Sequence, residues 1–514
     1  MGVARRQAVI ALSVFLAAFL GTIIRTPIPE VVLVDADAGH QLAGAQQIRF
    51  GEHPFVDFRS TYGPLTFYAS YAAQRIGGGT IAAELLLCAL GYSTAFLLIF
   101  LSARQMSGNA IALIVTALAV AQLPRFYKYY IYLGPALVLF CTSLYVRQPR
   151  TIRLALLAIA VTITGLYRPD EGAYAFCAAV LAVLIVEKSW TRALIVLPGL
   201  ILAADSPWLL FLITRSALGK YIADSTLGAA HHAIGLNLPF PRFTLSNPMS
   251  DGENLSAISY FIWWAIPCAA AIALAAIWKR LDKPRRCFAT VTIVYAALSL
   301  IQSAHRSEQA HLIQSVAPAW VLVAFIAAML TTKIQAWRVL ALVVLAISMI
   351  ISVWAGVVKH TLGQFNPYFA RDFTEFYIHR PQAFVTRLRT ELPNHPYFKL
   401  IDFIDTHTAK DERILALPYM TMLYVDTGRP FAGGQMMMAP GYFSDDADQR
   451  LMVQTMKNQN NPLIVEQAGG GGYDNLPSRK TRAYEQIFYQ YVDTNYEKVT
   501  DDSLPHGTEA LIHR

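Results

Sequence analysis

Long apolar runs dominate this sequence and leave it few ways to fold. They lie near 8–25, 80–102, 109–124, 129–146, 152–167, 172–187, 193–213, 256–277, 287–304, 311–331 and 336–357. Crossing about 30 Å of hydrocarbon takes about 20 helical residues, so the runs predict about eleven transmembrane helices. Backbone polar groups in lipid must pair within their own segment, which makes each run a helix. The chain has 514 residues, 55% of them hydrophobic and 15% charged, and so is no ordinary soluble globule.

The cations alternate with the runs. Arg5 and Arg6, Arg104, then Arg147 with Arg150 and Arg153, Lys188 with Arg192, the cluster Lys279, Arg280, Lys283, Arg285 and Arg286, and finally Lys333 with Arg338 fall in every second connector. Lys and Arg collect on the cytoplasmic side, so the N-terminus is expected inside. An odd number of spans then places the tail outside. The net charge of +8 is on this reading a topology signal, and no nucleic-acid partner is expected. The first run continues through Ile23 and Ile24 with no small-residue cleavage pattern, so a retained helix is expected there instead of a signal peptide. All five cysteines (Cys88, Cys141, Cys177, Cys268, Cys287) lie in or beside predicted spans, which leaves the tail without disulfides.

These assignments divide the chain into a membrane domain over 1–358, with a long external loop at 26–78, and an extracytoplasmic α/β domain over 359–514. A second external loop covers about 214–254, and short external turns fall near 125, 168 and 305. In the first loop, Leu42, Ala45 and Ile48 alternate with Gln46, Gln47 and Arg49, which predicts a short amphipathic helix over 38–50 lying at the interface. In the tail, Tyr397, Leu400, Ile401, Phe403 and Ile404 share one helical face. Ile414-Leu415-Ala416-Leu417 and Leu463-Ile464-Val465 read as buried strands, with a helix near 445–458 between them. The Gly469–Gly472 run has no Lys-Ser/Thr after it and reads as a loop.

Ionisable groups concentrate on the expected external side. Asp35 and Asp37 follow the first span, and Asp57 lies in the Gly51-Glu52-His53-Pro54-Phe55-Val56-Asp57-Phe58 turn. Arg125 and Lys128 flank aromatics at the ends of the third and fourth spans, where they serve either as snorkelling cations of an aromatic belt or as anion contacts. Arg168-Pro169-Asp170-Glu171 forms a turn in which the acids suit a helix N-terminus and the arginine suits a phosphate. His305, Arg306, Glu308 and His311 interrupt the ninth and tenth spans. Asp205 beside Pro207 sits inside a span, where a carboxylate is costly; it marks either a functional group or a helix break facing protein or water. His305, Glu308 and His311 are at helical spacing, and Asp35-Ala36-Asp37 has a D-x-D form. A divalent metal is a subordinate alternative at each, and no cofactor is expected.

The first loop resembles that of lipid-dependent GT-C superfold glycosyltransferases, in particular the rhizobial galacturonic acid transferases of lipopolysaccharide and the lipid A aminoarabinose transferases. Asp37, Gly51, Pro54, Phe55, Asp57, Phe58, Pro64, Leu65 and Tyr68 match their pattern in order. Two departures stand out: an Asp-Glu pair of the relatives is Asp37-Ala38 here, and their Pro-Pro-Leu is Gly63-Pro64-Leu65. The first keeps Asp35 as a rival of Asp37. Arg306 and His311 resemble an Arg-x-x-x-x-His turn in some of these enzymes that faces the donor phosphate.

The resemblance implies a polyprenyl-phosphate-linked sugar as donor, and an extracytoplasmic glycan, lipid or protein as acceptor. It also implies Asp37 or Asp35 as general base, with Arg306 and His311 facing the donor phosphate; Arg168, Arg125, Lys128 and Asp57, on the same expected face, are further candidate donor contacts by their own chemistry. Deprotonating the acceptor hydroxyl during backside attack on the anomeric carbon gives inversion. The competing expectations are a multi-spanning lipid or glycan transporter, a ligase moving a glycan from a lipid diphosphate, and a non-catalytic assembly component. Transporters favour paired halves with charges near the midplane, whereas here the polar groups gather at one expected surface.

Overall fold

The computed structural model describes residues 3–25, 36–78, 81–122, 124, 126–242, 252–331, 335–360, 371, 374–379, 381–459, 461–468, 476–499, 501 and 504–514. Within the described residues, each apolar run of the sequence is helical over most of its length. Among the described residues, eight helices are long and apolar enough to cross a membrane. A ninth candidate span is broken, its halves Gln309–Ser315 and Ala317–Thr331 meeting at 66°. The Asn109–Gln122 and Thr151–Tyr167 helices are apolar but shorter.

The chain forms two compact units. The first comprises Met1–Thr26, Leu86–Leu210 and Leu238–Phe365; the second comprises Pro27–Leu85, Phe211–Asn237 and Asn366–Arg514. The first long loop and much of the second therefore group with the tail, where a linear reading had divided the chain near 358.

Small residues set the packing of the first unit. A Cβ on Gly172 would come within 2.4 Å of the Gly165 Cα, and one on Gly134 within 2.8 Å of the Thr164 side chain. Close backbone approach of this kind is how helices pack where lipid removes the hydrophobic drive to associate. At the centre, the helix Ala317–Thr331 is almost wholly buried, and Trp320 meets Trp263 edge to face at 4.9 Å. The Ala336–His360 helix instead exposes Leu340, Val344, Ile347 and Ile350 at helical spacing, an apolar stripe suited to lipid. Asp282 starts the Lys283–His305 helix by accepting the Arg285 N–H at 2.8 Å.

The second unit carries a four-stranded sheet of β1 (Ile414–Leu417), β2 (Leu463–Gln467), β3 (Tyr496–Lys498) and β4 (Thr508–His513), in the order β1-β2-β4-β3. β1 and β2 are parallel, with Leu415 opposite Ile464, and β4 is antiparallel to both β2 and β3. Both strands read from the sequence are present, and the predicted helices form at Pro396–His407 and Asp446–Gln459. Leu415, Leu417, Met452, Met456, Ile464, Phe488 and Val492 make the core beneath the sheet. The Gly469–Gly472 run lies outside the described residues.

Candidate active site

The Ala36–Arg49 helix follows the predicted one closely in length but not in setting. An amphipathic helix on the membrane surface would leave its glutamines wet. Instead residues 39–48 are all buried, including His40, Gln41, Gln46 and Gln47. The polar face is bonded to the tail: the Gln46 amide donates to the carbonyls of Tyr424 and Arg429, both at 2.8 Å, and that of Gln47 donates to the Phe431 carbonyl at 3.3 Å, as well as to Glu52 of its own loop at 2.7 Å. Backbone acceptors here replace the water that an interfacial helix would have kept. Asp37 lies in the first turn of this helix; its side chain, and all of Asp35, lie outside the described residues.

Two residues beyond Asp37, Gly39 lets the helix approach the tail. A Cβ there would come within 2.5 Å of both the Met422 nitrogen and the Thr421 hydroxyl. Gly39→Ala is therefore expected to cost about 1–3 kcal/mol through overpacking against backbone. A lowered Tm with near-normal secondary structure by circular dichroism is the check.

The turn that follows is tightly specified. Gly51 has φ +88° and Phe55 φ +66°, the latter uncommon for a bulky residue. Phe55 N–H donates to the Phe58 carbonyl at 2.7 Å, and both rings are fully buried. Asp57 accepts the His53 backbone N–H at 2.8 Å, and His53 Nδ1 lies 2.9 Å from the Tyr68 hydroxyl. Burial, with the Asp57 charge, pushes the Tyr68 phenol up to about 12. Asp57 thus organises the loop that carries it.

Arg59, two residues on, was not singled out from the sequence. Its guanidinium is bonded to the fully buried Asp224 at 2.7 Å and to Asp448, and it lies 4.0 Å over the Phe443 ring. Burial pushes the Asp224 carboxyl up, although Arg59 and Lys220 oppose the shift. Lys220 itself is pushed down by burial and donates to the Val56 carbonyl at 3.2 Å. Beside this network a cavity of about 370 Å³ is lined by His231, Gly235, Phe443, Asp445 and Asp448.

In the first unit, Arg168 sits at the N-cap of the Pro169–Glu187 helix and grips Asp170, Nε to Oδ1 at 2.9 Å. Glu171 is buried at 2% exposure. The turn is therefore self-paired, with its acids at the positive helix end. Glu308 takes the Arg306 Nε at 3.0 Å and His311 Nδ1 at 2.7 Å. Burial alone would push the Glu308 carboxyl up, but the His311 ring and the Arg306 guanidinium outweigh it and hold the group well below the carboxylate range. His305 ends the Lys283–His305 helix and is exposed.

Lys128 lies in a single 3₁₀ turn, only 6% exposed, with its Nζ 5.8 Å from the centre of the Tyr127 ring. Arg125 lies outside the described residues. Asp205 causes no break, since the Leu197–Thr214 helix runs through Pro207; its Oδ1 is buried with no hydrogen-bond partner among the described residues. Among the described residues, no three His, Cys, Asp or Glu side chains gather as a metal site. Glu308 is engaged as an ion-pair acceptor.

No family model matches this sequence. No curated protein does either. Solved structures do. ArnT from Cupriavidus metallidurans bound to undecaprenyl phosphate superposes with a TM-score of 0.53 at 13% identity, over 99% of this chain and 98% of that one. The same protein in the apo state gives 0.51 at 12% identity, with the same coverage. Archaeal oligosaccharyltransferase AglB from Archaeoglobus fulgidus, in complex with an inhibitory peptide and a dolichol-phosphate, gives 0.48 at 12% identity over 98% of this chain and 74% of that one. The end-to-end match to ArnT in both states identifies the architecture: this polytopic α-helical chain with its α/β tail has the GT-C fold.

Proposed function

We propose that this protein is an integral-membrane glycosyltransferase of the inverting type. It moves a hexosyl or pentosyl group from a polyprenyl-phosphate donor to an extracytoplasmic glycan, lipid or protein. The observation that carries the reading is the likeness, over nearly the whole length of both chains, to a structure that holds undecaprenyl phosphate. The loop motif from Asp37 to Tyr68 adds to it. On this reading the membrane is a bacterial inner membrane, with the N-terminus cytoplasmic and the tail periplasmic.

In the proposed reaction the acceptor hydroxyl attacks the anomeric carbon from the side opposite the phosphate. Asp37 takes the hydroxyl proton as the new C–O bond forms. The C–O bond to phosphate breaks, and polyprenyl phosphate departs with the electron pair. Arginine suits that departing group because its fork matches phosphate oxygens. Arg306 and Arg168 are each held by an acid, Glu308 and Asp170. A donor phosphate would compete with those acids for the guanidinium, so both arginines are kept oriented between turnovers. No metal is required by this scheme.

The test is transfer by the purified protein, in detergent or nanodiscs, of radiolabelled sugar from polyprenyl-phosphate donors to an envelope extract. Donor-dependent incorporation with inverted anomeric configuration is expected. No transfer from any monophosphate donor, together with lipid or glycan flux in liposomes, would replace the reading with the transporter.

A further inference from the structure

One group of cations takes no part in the proposed chemistry. A cavity of about 170 Å³ opens between the ends of the Ile81–Ser107, Tyr130–Arg147 and Lys283–His305 helices. Its polar lining is Arg147, Arg285, Gln105 and Asp282, and Met106 and Phe288 belong to its apolar lining. The volume equals that of about five or six water molecules, enough for a phosphodiester and part of its glycerol.

The charges around it are unbalanced. Among the described residues, Asp282 is the one acid in the lining. It is already used as the helix cap for the Arg285 N–H, and its other oxygen stands 3.9 Å from the Arg285 Nε. Gln105 donates to Ser143 at 2.6 Å. Nearby, Arg153 is spent on the Leu144 carbonyl at 2.6 Å, and Arg104 on Gln7. The Arg147 guanidinium makes no hydrogen bond or ion pair with any described residue, and both it and that of Arg285, at 53% exposure, remain open to a ligand. Two guanidinium groups together with apolar side chains, lining one cavity at the ends of three helices, suit an anion that carries hydrocarbon. Basic pockets of this kind between transmembrane helices hold anionic lipid headgroups, and guanidinium forks match phosphate oxygens.

We infer that Arg147 and Arg285 form a binding site for the phosphate of an anionic phospholipid, separate from the groups assigned to the donor. Bound lipid would tie together the ends of those three helices.

The probe is phosphatidylglycerol in nanodiscs of phosphatidylcholine, with retained lipid read by native mass spectrometry of the full chain. Wild type is expected to keep one phosphatidylglycerol. Arg147→Gln and Arg285→Gln should each lower its retention about fivefold, the loss of one surface cation near an anionic headgroup. Lys279→Gln with Arg280→Gln, exposed cations outside the cavity, should not. Equal loss in that control would overturn the site in favour of diffuse surface charge, as would undiminished retention in Arg147→Gln. Displacement of the lipid by inorganic phosphate alone would overturn it in favour of a free-anion site. Arg147→Lys, which keeps the charge without the fork, should fall between wild type and Arg147→Gln and guards against misfolding of the neutral variant.

Discussion

Asp37→Asn is expected to lower the turnover of sugar transfer by about 10²–10⁴-fold, the usual contribution of a positioned general base, while leaving the donor KM near its wild-type value. An amide has no basicity to offer the acceptor hydroxyl but keeps the size and polarity of the carboxyl. The loss should therefore fall on kcat and leave binding intact. Asp37→Glu should recover part of the activity, since it restores the base but displaces it by one methylene. Asp35→Asn should keep most of the wild-type rate. The reverse pattern, with transfer abolished by Asp35→Asn and retained in Asp37→Asn, would move the base to Asp35. Position favours Asp37, because it belongs to a helix that Gly39, Gln46 and Gln47 hold against fixed groups. A base works best when its support does not move.

Much of the architecture was legible because it rests on local patterns. Apolar runs of spanning length can only become helices in lipid, and Ile414–Leu417 is a short apolar run of the kind buried strands use. β3 and β4 were not legible: Tyr496–Lys498 has three residues and Thr508–His513 mixes polar with apolar positions, so neither shows a clean period. The ion pairs at Arg168–Asp170 and at Glu308–His311 were within reach because their members lie two or three residues apart. The setting of the Ala36–Arg49 helix was not. Its glutamines read as a wet face because the carbonyls that satisfy them, at Tyr424 and Arg429, lie 378 and 383 residues away. For the same reason Arg59 gave no signal, since its two acids are 165 and 389 residues distant.

That distant pairing carries the second large effect. Arg59→Gln should destabilise the protein by about 3–5 kcal/mol, because removing one partner of a buried pair leaves the other charge uncompensated. Asp224 is fully buried, whereas Arg59 and Asp448 are 14% and 18% exposed, so the cost falls mainly on Asp224. Lys220 also faces Asp224, but burial depresses its own charge and limits what it can replace. The pH dependence has a definite sign. Burial already places the folded carboxyl of Asp224 above its unfolded value, and loss of Arg59 would raise it further. A raised folded value favours the folded state below the unfolded range, near 3.9, and that advantage is lost as pH rises through the folded value. The deficit of Arg59→Gln relative to wild type should therefore be largest at neutral pH and shrink on acidification. Asp224→Asn in the Arg59→Gln background should recover much of the lost Tm at pH 7, since it removes the stranded charge. Scanning fluorimetry across pH on the wild type, the single variant and the double variant measures all three. A deficit independent of pH and not relieved by Asp224→Asn would mean that Arg59 acts through its packing on Phe443 and not through the buried charge.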